Sequence, residues 1–139
     1  MSIGSSLSLR LESLLDAARH AARNSYSPYS HFRVGAALEL ADGAVVTGAN
    51  VENASYGLTL CAERSALVRA VAEFGPGIRI KAIAIANLND APSPPCGACR
   101  QMLGEFTDPD AVAVFVADQG LHSMRFAELL PLSFALKSQ

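Results

Sequence analysis

The sequence has few cysteines, no long apolar run and no cluster of basic residues, and each shortage excludes a class of protein. Three of the 139 residues are cysteine, an odd number that does not suit the disulfide set of a small secreted domain. No segment approaches the ~20 apolar residues needed to cross a bilayer. The N-terminus carries Glu12 and Asp16, unlike a signal peptide. We therefore expect a cytoplasmic protein without a membrane partner.

Positive charge is also sparse. The 11 Lys and Arg residues are scattered along the chain, and the formal net charge is −2. Nucleic-acid backbones are usually bound by a basic stripe or patch. The sequence therefore predicts a small-molecule partner and no nucleic-acid partner.

Apolar residues, in contrast, are abundant and alternate between helical and strand periods. Half of the residues are hydrophobic, which supplies a core for a single domain over residues 1–139. The patterns predict helices over residues 7–24, 61–74 and 96–106, a helical turn at "FAELL", and strands in "RVGAALEL", "GAVVTGAN", "IKAIAIAN", "AVAVFVA" and near residues 122–126. The first two strands form a hairpin, and the crossover over residues 61–74 makes the third strand parallel to a hairpin strand. We predict an α/β fold with a five-stranded mixed sheet and helices on both faces.

All three cysteines stand where a loop becomes a helix. Cys61 precedes "AERSAL", and Cys96 and Cys99 form the Cys-x-x-Cys of "PCGACRQ". Helix N-termini favour the thiolate over the thiol, and two adjacent α/β crossovers would bring both helix starts together. Three thiolates suit zinc. We therefore predict one Zn²⁺ per subunit, bound by these three cysteines.

The number of ligands predicts that this zinc is catalytic. Structural zinc sites normally have four protein ligands, whereas catalytic sites have three and leave a position for water. The histidines, His20, His31 and His122, lie in unrelated segments. Glu63, two residues after Cys61, is placed to transfer protons from such a water. A redox or incidental Cys-x-x-Cys is the alternative.

These residues carry a family resemblance. Cys61-Ala62-Glu63 and Pro95-Cys96-Gly97-Ala98-Cys99 resemble the H-x-E…P-C-x-x-C signature of zinc nucleoside and nucleobase deaminases, with cysteine in place of histidine. The stretches "YSPYSHFRVGAAL", "TGANVENASYGLTLCAERSAL", "SPPCGACRQMLGEF" and "AELLPLSF" are similar to the small homotetrameric cytidine deaminases. The resemblance implies a three-layer α/β/α fold like theirs. It also implies a pyrimidine-salvage hydrolase that deaminates cytidine and 2′-deoxycytidine to the uridines and releases ammonia.

The resemblance also implies roles for individual residues. Glu63 would transfer protons between water, the pyrimidine N3 and the leaving amine. Arg64 would donate hydrogen bonds to the cysteine sulfurs and offset their negative charge. Asn50 and Glu52 would bind the ribose 3′-hydroxyl. The other implied substrate contacts are Phe32 against the pyrimidine, the backbone near Ala62 and Pro95 along the base edge, and Ala54, Tyr56 and Phe134 from a neighbouring subunit.

The helix over residues 61–74 is apolar around much of its circumference, and this predicts that the chain forms an oligomer. Its small alanines would let a symmetry mate approach closely, and such patches usually lead to closed symmetric oligomers. Together with the resemblance, this predicts a homotetramer with shared active sites.

Three alternative functions remain open from the sequence. A deaminase of antibiotic nucleosides would share the zinc motif, but we would not expect it to keep Asn50 and Glu52. A polynucleotide deaminase would need a basic and aromatic surface. A non-catalytic module stabilised by zinc would not need Glu63.

Overall fold

The computed structural model describes residues 5–118 and 120–136, and these form a mixed sheet with helices on both faces. In chain order the elements are α1 (Ser5–Ala22), β1 (Val34–Leu40), β2 (Val45–Ala49), a 3₁₀ turn (Tyr56–Leu58), α2 (Ala62–Phe74), β3 (Ile80–Asn87), α3 (Gly97–Gly104), β4 (Thr107–Ala117), β5 (Gly120–Arg125) and α4 (Phe126–Leu129). Every predicted helix and strand is therefore present. The predicted domain of residues 1–139 includes positions 1–4, 119 and 137–139, which lie outside the described residues.

The hairpin of β1 and β2 turns at the predicted place. The Leu40 amide donates to the Ala44 carbonyl at 2.8 Å, and the Asp42 side chain accepts from the Ala44 amide at 3.0 Å. Gly43 has a φ of +92°, a backbone conformation that side chains with a Cβ rarely adopt. The turn sequence thus fixes the register of the two strands.

The strand order is β2-β1-β3-β4-β5. β1 is antiparallel to β2 and to β3, β3 and β4 are parallel, and β4 and β5 are antiparallel. β3 consequently runs in the direction of β2, as the crossover rule predicted, although β1 lies between them. The two crossovers, through α2 and through α3, are adjacent in the sheet.

Two apolar clusters cover the two faces of the sheet. α1 packs on one face against a row of alanines in the strands, Ala37, Ala82, Ala84 and Ala86. α2, α3 and α4 pack on the other face, where Leu38, Ile83 and Ile85 contribute larger side chains. The alternation of alanine and isoleucine in β3 therefore assigns its two faces to the two helical layers. This confirms the predicted three-layer α/β/α fold with a five-stranded mixed sheet.

Several element boundaries differ from the predicted ones. α1 begins at Ser5 and ends at Ala22, and α3 ends at Gly104, two residues before Phe106. The Phe106 carbonyl accepts from the Ile80 amide at 2.8 Å, so the chain already bonds to β3 at this residue. For the same reason β4 begins at Thr107, earlier than its apolar run indicates. In the described part of the chain, no helix combines the length and the apolar character that a membrane span requires.

Candidate metal centre and pocket

The three cysteines meet at the starts of α2 and α3. Cys61 is the N-cap residue of α2 and Cys96 that of α3, and both have extended backbone conformations. Cys99 lies in the first turn of α3 and is fully buried. The Cys99 amide lies 3.5 Å from the Cys96 sulfur, so the helix start itself orients one thiol. The parallel crossovers bring these helix starts together, as the sequence predicted.

The sulfur atoms have the spacing of a metal site. Cys61 Sγ lies 4.0 Å from Cys96 Sγ, and Cys96 Sγ lies 3.4 Å from Cys99 Sγ. All three atoms are within 4.8 Å of one another. With Zn–S bonds of about 2.3 Å, sulfurs in a tetrahedral site are about 3.8 Å apart. Since the cysteines form no disulfide, the donor set fits zinc.

Arg64, the third residue of α2, supports the cluster. Its Nη2 atom lies 3.4 Å from Cys61 Sγ and 3.4 Å from the Thr59 carbonyl oxygen. Its Nε atom is buried and has no hydrogen-bond partner within the described residues. A partly buried cationic donor beside the sulfurs suits a cluster with excess negative charge. The predicted contact between Arg64 and a cysteine sulfur is therefore present in the structure.

Hydrogen bonds between the cysteines shift their pKa values in opposite directions. A hydrogen bond with Cys99 is the largest cause that lowers the pKa of Cys61 to about 5, and Arg64 adds a hydrogen bond and its charge. The same hydrogen bond, together with burial, raises the pKa of Cys99. Because metal binding requires thiolates, a metal ion would displace the remaining protons.

Glu63 is a buried carboxyl group beside the cysteines. Its side chain is only 5% exposed, in the first turn of α2. Burial is the largest cause that raises the pKa of Glu63 to about 7, and the negative charge of Cys61 acts in the same direction. Carboxyl groups are rarely buried unless they are paired or have a functional role, so this position marks Glu63 as a candidate catalytic residue.

A cavity of about 250 Å³ opens beside Glu63 and the cysteines. It lies at the edge of the sheet where β2 and β3 end, the usual location of sites in α/β sheets. Six of the predicted residues line it: Phe32, Asn50, Cys61, Ala62, Glu63 and Cys96. Six further lining residues were not predicted: Val34, Thr59, Ile85, Pro92, Ser93 and Pro94. Val34 and Ile85 are ordinary apolar strand residues, and no sequence signal separates them from the core.

Asn50 is buried and held in one orientation. Its Oδ1 atom accepts from the Val34 amide at 3.0 Å and from the Ser25 hydroxyl. Its Nδ2 atom donates to the Phe32 carbonyl at 2.8 Å. A side-chain amide has two N–H donors, so one N–H of Asn50 remains for a ligand.

Glu52 is buried but is not among the residues that line this cavity of the described chain. Its Oε1 atom accepts from the amides of Tyr29 and Ser30 at 3.0 Å and 3.1 Å. Its other oxygen accepts from the Ser30 hydroxyl. These hydrogen bonds, led by that hydroxyl, lower the pKa of Glu52, so the side chain is ionised at neutral pH.

The residues predicted to reach a neighbouring subunit lie at the surface of the described chain. Tyr56 is 78% exposed and Phe134 is 69% exposed, and Ala54 is exposed as well. The structure does not bring these three residues to the cavity of their own chain.

Comparison with known proteins agrees with a zinc-binding deaminase domain. The family model described as "Cytidine and deoxycytidylate deaminase zinc-binding region" matches residues 9–115. This match covers most of the chain, so the chain belongs to the cytidine and deoxycytidylate deaminase zinc-binding family. The predicted enzyme class, a hydrolase, and the predicted zinc cofactor are confirmed by this membership and by the three-cysteine cluster.

Individual relatives are similar over most of their length. The chain is 47% identical to the cytidine deaminase of Halalkalibacterium halodurans over 123 residues, which cover 87% of this chain and 91% of the relative. It is 46% identical to the probable cytidine deaminase of Dictyostelium discoideum, with 90% and 84% covered. The crystal structure of cytidine deaminase from Burkholderia pseudomallei superimposes with a TM-score of 0.79 at 44% identity, covering 88% of this chain and 98% of that one.

Proposed function

We propose that the protein catalyses the hydrolytic deamination of cytidine and 2′-deoxycytidine to uridine and 2′-deoxyuridine, with release of ammonia. The observation that carries this proposal is the buried Glu63 carboxyl group on the same cavity as the cysteine cluster. The names of the relatives at 46–47% identity support the choice of substrate. In this proposal, residues 1–139 act as one deaminase domain in pyrimidine salvage.

The cysteines account for metal binding. Cys61, Cys96 and Cys99 would hold one Zn²⁺ per chain, and this ion, when bound, supplies the Lewis acid that makes water ionise near pH 7. Three thiolates around Zn²⁺ leave a net charge of −1. The hydrogen bond from Arg64 to the Cys61 sulfur, at 3.4 Å, reduces the charge density on the ligands.

Glu63 transfers the protons. Glu63 lines the cavity, which supports contact of its carboxylate with both water and the base. It accepts a proton from water and delivers it to the pyrimidine N3, which makes C4 more electrophilic. The hydroxide adds to C4. Glu63 then takes the proton of the new C4 hydroxyl group and passes it to the exocyclic amine, and ammonia leaves as the C4 carbonyl forms.

The cavity walls account for recognition of the nucleoside. Phe32 and Ala62 line the cavity, which supports a role for the Phe32 ring against the pyrimidine and for the Ala62 backbone along the base edge. Asn50 has a free N–H for the 3′-hydroxyl. Glu52 would accept a hydrogen bond from the same hydroxyl, next to its bonds with Tyr29 and Ser30.

We also propose a homotetramer with shared active sites, which the exposed apolar residues support. Tyr56 and Phe134 are mostly exposed, and so is Leu58 at 71%. On α2, Val68 and Phe74 are about half exposed on the outer face. Large apolar patches are uncommon on monomers. In the tetramer, Ala54, Tyr56 and Phe134 would complete the cavity of a neighbouring subunit.

A cytoplasmic location remains our prediction, without nucleic-acid or membrane partners. All three cysteines are free thiols, which is usual in a reducing compartment. Their proposed role as metal ligands requires the reduced form.

Turnover of cytidine by the purified protein tests the proposal. Loss of absorbance at the cytosine band, with release of one ammonia per nucleoside, is the expected result. Removal of the metal with a chelator should stop the reaction, and added zinc should restore it. Absence of turnover by zinc-loaded protein would refute the proposed function.

A further inference from the structure

Two irregular segments line the cavity, and one side chain joins them. Residues 31–33 carry Phe32, and residues 88–94 carry Pro92, Ser93 and Pro94. Asn89 Nδ2 donates to the His31 carbonyl at 2.8 Å, and Asn89 Oδ1 accepts from the Arg33 amide at 2.9 Å. The amide of Asn89 therefore pairs with the backbone on both sides of Phe32, in the way that a neighbouring strand would.

Asn89 is itself anchored to the sheet by Asn87, the last residue of β3. Asn87 Oδ1 accepts from the Asn89 amide at 2.9 Å and from the Ala91 amide at 3.3 Å. Asn87 Nδ2 donates to the Ala91 carbonyl at 2.7 Å and to the Ser93 hydroxyl at 3.0 Å. The loop that carries Asn89 is thus hydrogen-bonded to the end of β3, a largely buried strand.

Both joined segments contain an unfavourable backbone conformation. His31 has a φ of +58° and Asp90 a φ of +56°, in the left-handed region that residues other than glycine rarely occupy. Such conformations persist where surrounding contacts determine them. At His31 the carbonyl is held by Asn89 and the amide donates to the Ser27 carbonyl at 2.9 Å.

The other hydrogen bonds of the Phe32 backbone are to residues outside the loop over residues 88–94. The Phe32 amide donates to the Ser30 hydroxyl at 3.0 Å, and its carbonyl accepts from Asn50 at 2.8 Å. Asn89 is therefore the side chain that ties Phe32 to the loop over residues 88–94. The same two segments are also joined by one backbone hydrogen bond, from the Leu88 amide to the Arg33 carbonyl at 3.0 Å.

We propose that Asn89 is a positioning residue for substrate binding, because it pairs with the backbone on both sides of Phe32 and fixes the distance between the aromatic wall and the Pro92–Pro94 wall. The inference rests on the proposed function, in which Phe32 packs against the pyrimidine. Asn89 does not touch the substrate and acts through Phe32. A wall that contacts the base equally before and during reaction affects KM and leaves kcat unchanged.

The test compares Asn89→Ala with Asp42→Ala. Asp42 also accepts a backbone hydrogen bond in a turn, but at the opposite end of β1, so it controls for the loss of such a bond. We expect Asn89→Ala to raise KM for cytidine about fivefold, with kcat within about twofold. Asp42→Ala should leave both constants unchanged, and both variants should keep the zinc content of the wild type.

A second substitution tests whether the effect passes through Phe32. In a Phe32→Ala background, Asn89→Ala should change KM by less than about twofold, because the residue it positions is gone. An unchanged KM in the single variant, or an equal effect in both backgrounds, would overturn the proposal.

Amide hydrogen exchange gives a readout that needs no turnover. The Arg33 amide should exchange at least about tenfold faster in Asn89→Ala than in the wild type, whereas Asp42→Ala should accelerate Ala44 alone. Unchanged exchange at Arg33 would refute the role of Asn89, even if the enzyme is active. Failure of the wild-type chain to deaminate cytidine would instead refute the proposed function.

Discussion

Gly48 in β2 lies against the backbone of Ala66 in α2. A Cβ atom built on Gly48 would lie 2.4 Å from the Ala66 nitrogen and 2.9 Å from the Ala62 carbonyl oxygen. No side chain fits this space, since both neighbours are backbone atoms of a helix. The close approach sets the position of the N-terminal turn of α2, where Cys61 and Glu63 stand.

Gly48→Ala should therefore destabilise the protein and displace the site. We expect a loss of about 1–3 kcal/mol in the free energy of unfolding, the usual result of overpacking, together with a lower kcat for cytidine. Gly77→Ala is the matched control because a Cβ atom there meets nothing within 4 Å. Denaturant unfolding and steady-state kinetics measure both effects. Equal stability of the two variants would show that α2 can shift without cost.

Loss of one cysteine should remove the metal. Cys99 is fully buried, and a serine at this position offers a weaker ligand for zinc than a thiolate. We expect Cys99→Ser to retain much less than half an equivalent of zinc per chain, whereas the wild type retains about one. Metal analysis after gel filtration measures this. A wild-type chain that itself holds less than about half an equivalent would contradict the ligand assignment.

The proposed sugar contacts of Asn50 and Glu52 predict an enzyme for nucleosides and not for free bases. A site built to bind a hydroxyl discriminates strongly against a substrate that lacks it, because its buried polar groups stay unpaired. We expect kcat/KM for cytosine to be at least about 10³-fold below that for cytidine. Comparable values for the two substrates would exclude Asn50 and Glu52 as the determinants of specificity.

The clustering of the three cysteines was predictable because cysteines at helix starts stand at a recognisable spacing. The order of the strands in the sheet was less predictable. β1 lies between β2 and β3, and the crossover rule gives the direction of a strand but not which strand lies next to it. Val34 and Ile85 look like any core residues, so their place in the cavity depends on tertiary packing. In the sequence, Asn89 indicates only a loop. Its role could not be predicted, because its hydrogen bonds to His31 and Arg33 join segments that are far apart in the chain.

The proposed assembly predicts complementation between inactive chains. Glu63→Gln and Phe134→Ala would each inactivate different parts of a shared site. Mixed oligomers should regain partial activity, because some cavities combine an intact Glu63 with an intact Phe134 from a neighbour. A mixture of Glu63→Gln and Glu63→Ala chains is the control and should stay inactive. Refolding together, followed by a cytidine assay, measures the recovery.

Sedimentation at micromolar concentration provides the companion test. We expect an assembly of four chains of 14.6 kDa. A single species at the mass of one chain would refute the tetramer. If confirmed mixed oligomers show no recovery of activity, each chain completes its own site.

The role of Glu63 is tested most directly by the Glu63→Gln variant, assayed for cytidine turnover and zinc content on the same sample. Glutamine keeps the size and hydrogen bonds of the side chain but cannot transfer protons, a function that typically contributes about 10²–10⁴-fold. Glu73→Gln, on the exposed end of the same helix, is the matched control and should remain fully active. We predict wild-type zinc content and fold with turnover reduced at least about a hundredfold. Retention of more than about a tenth of the wild-type rate would contradict the assignment of Glu63 as the proton-transferring residue.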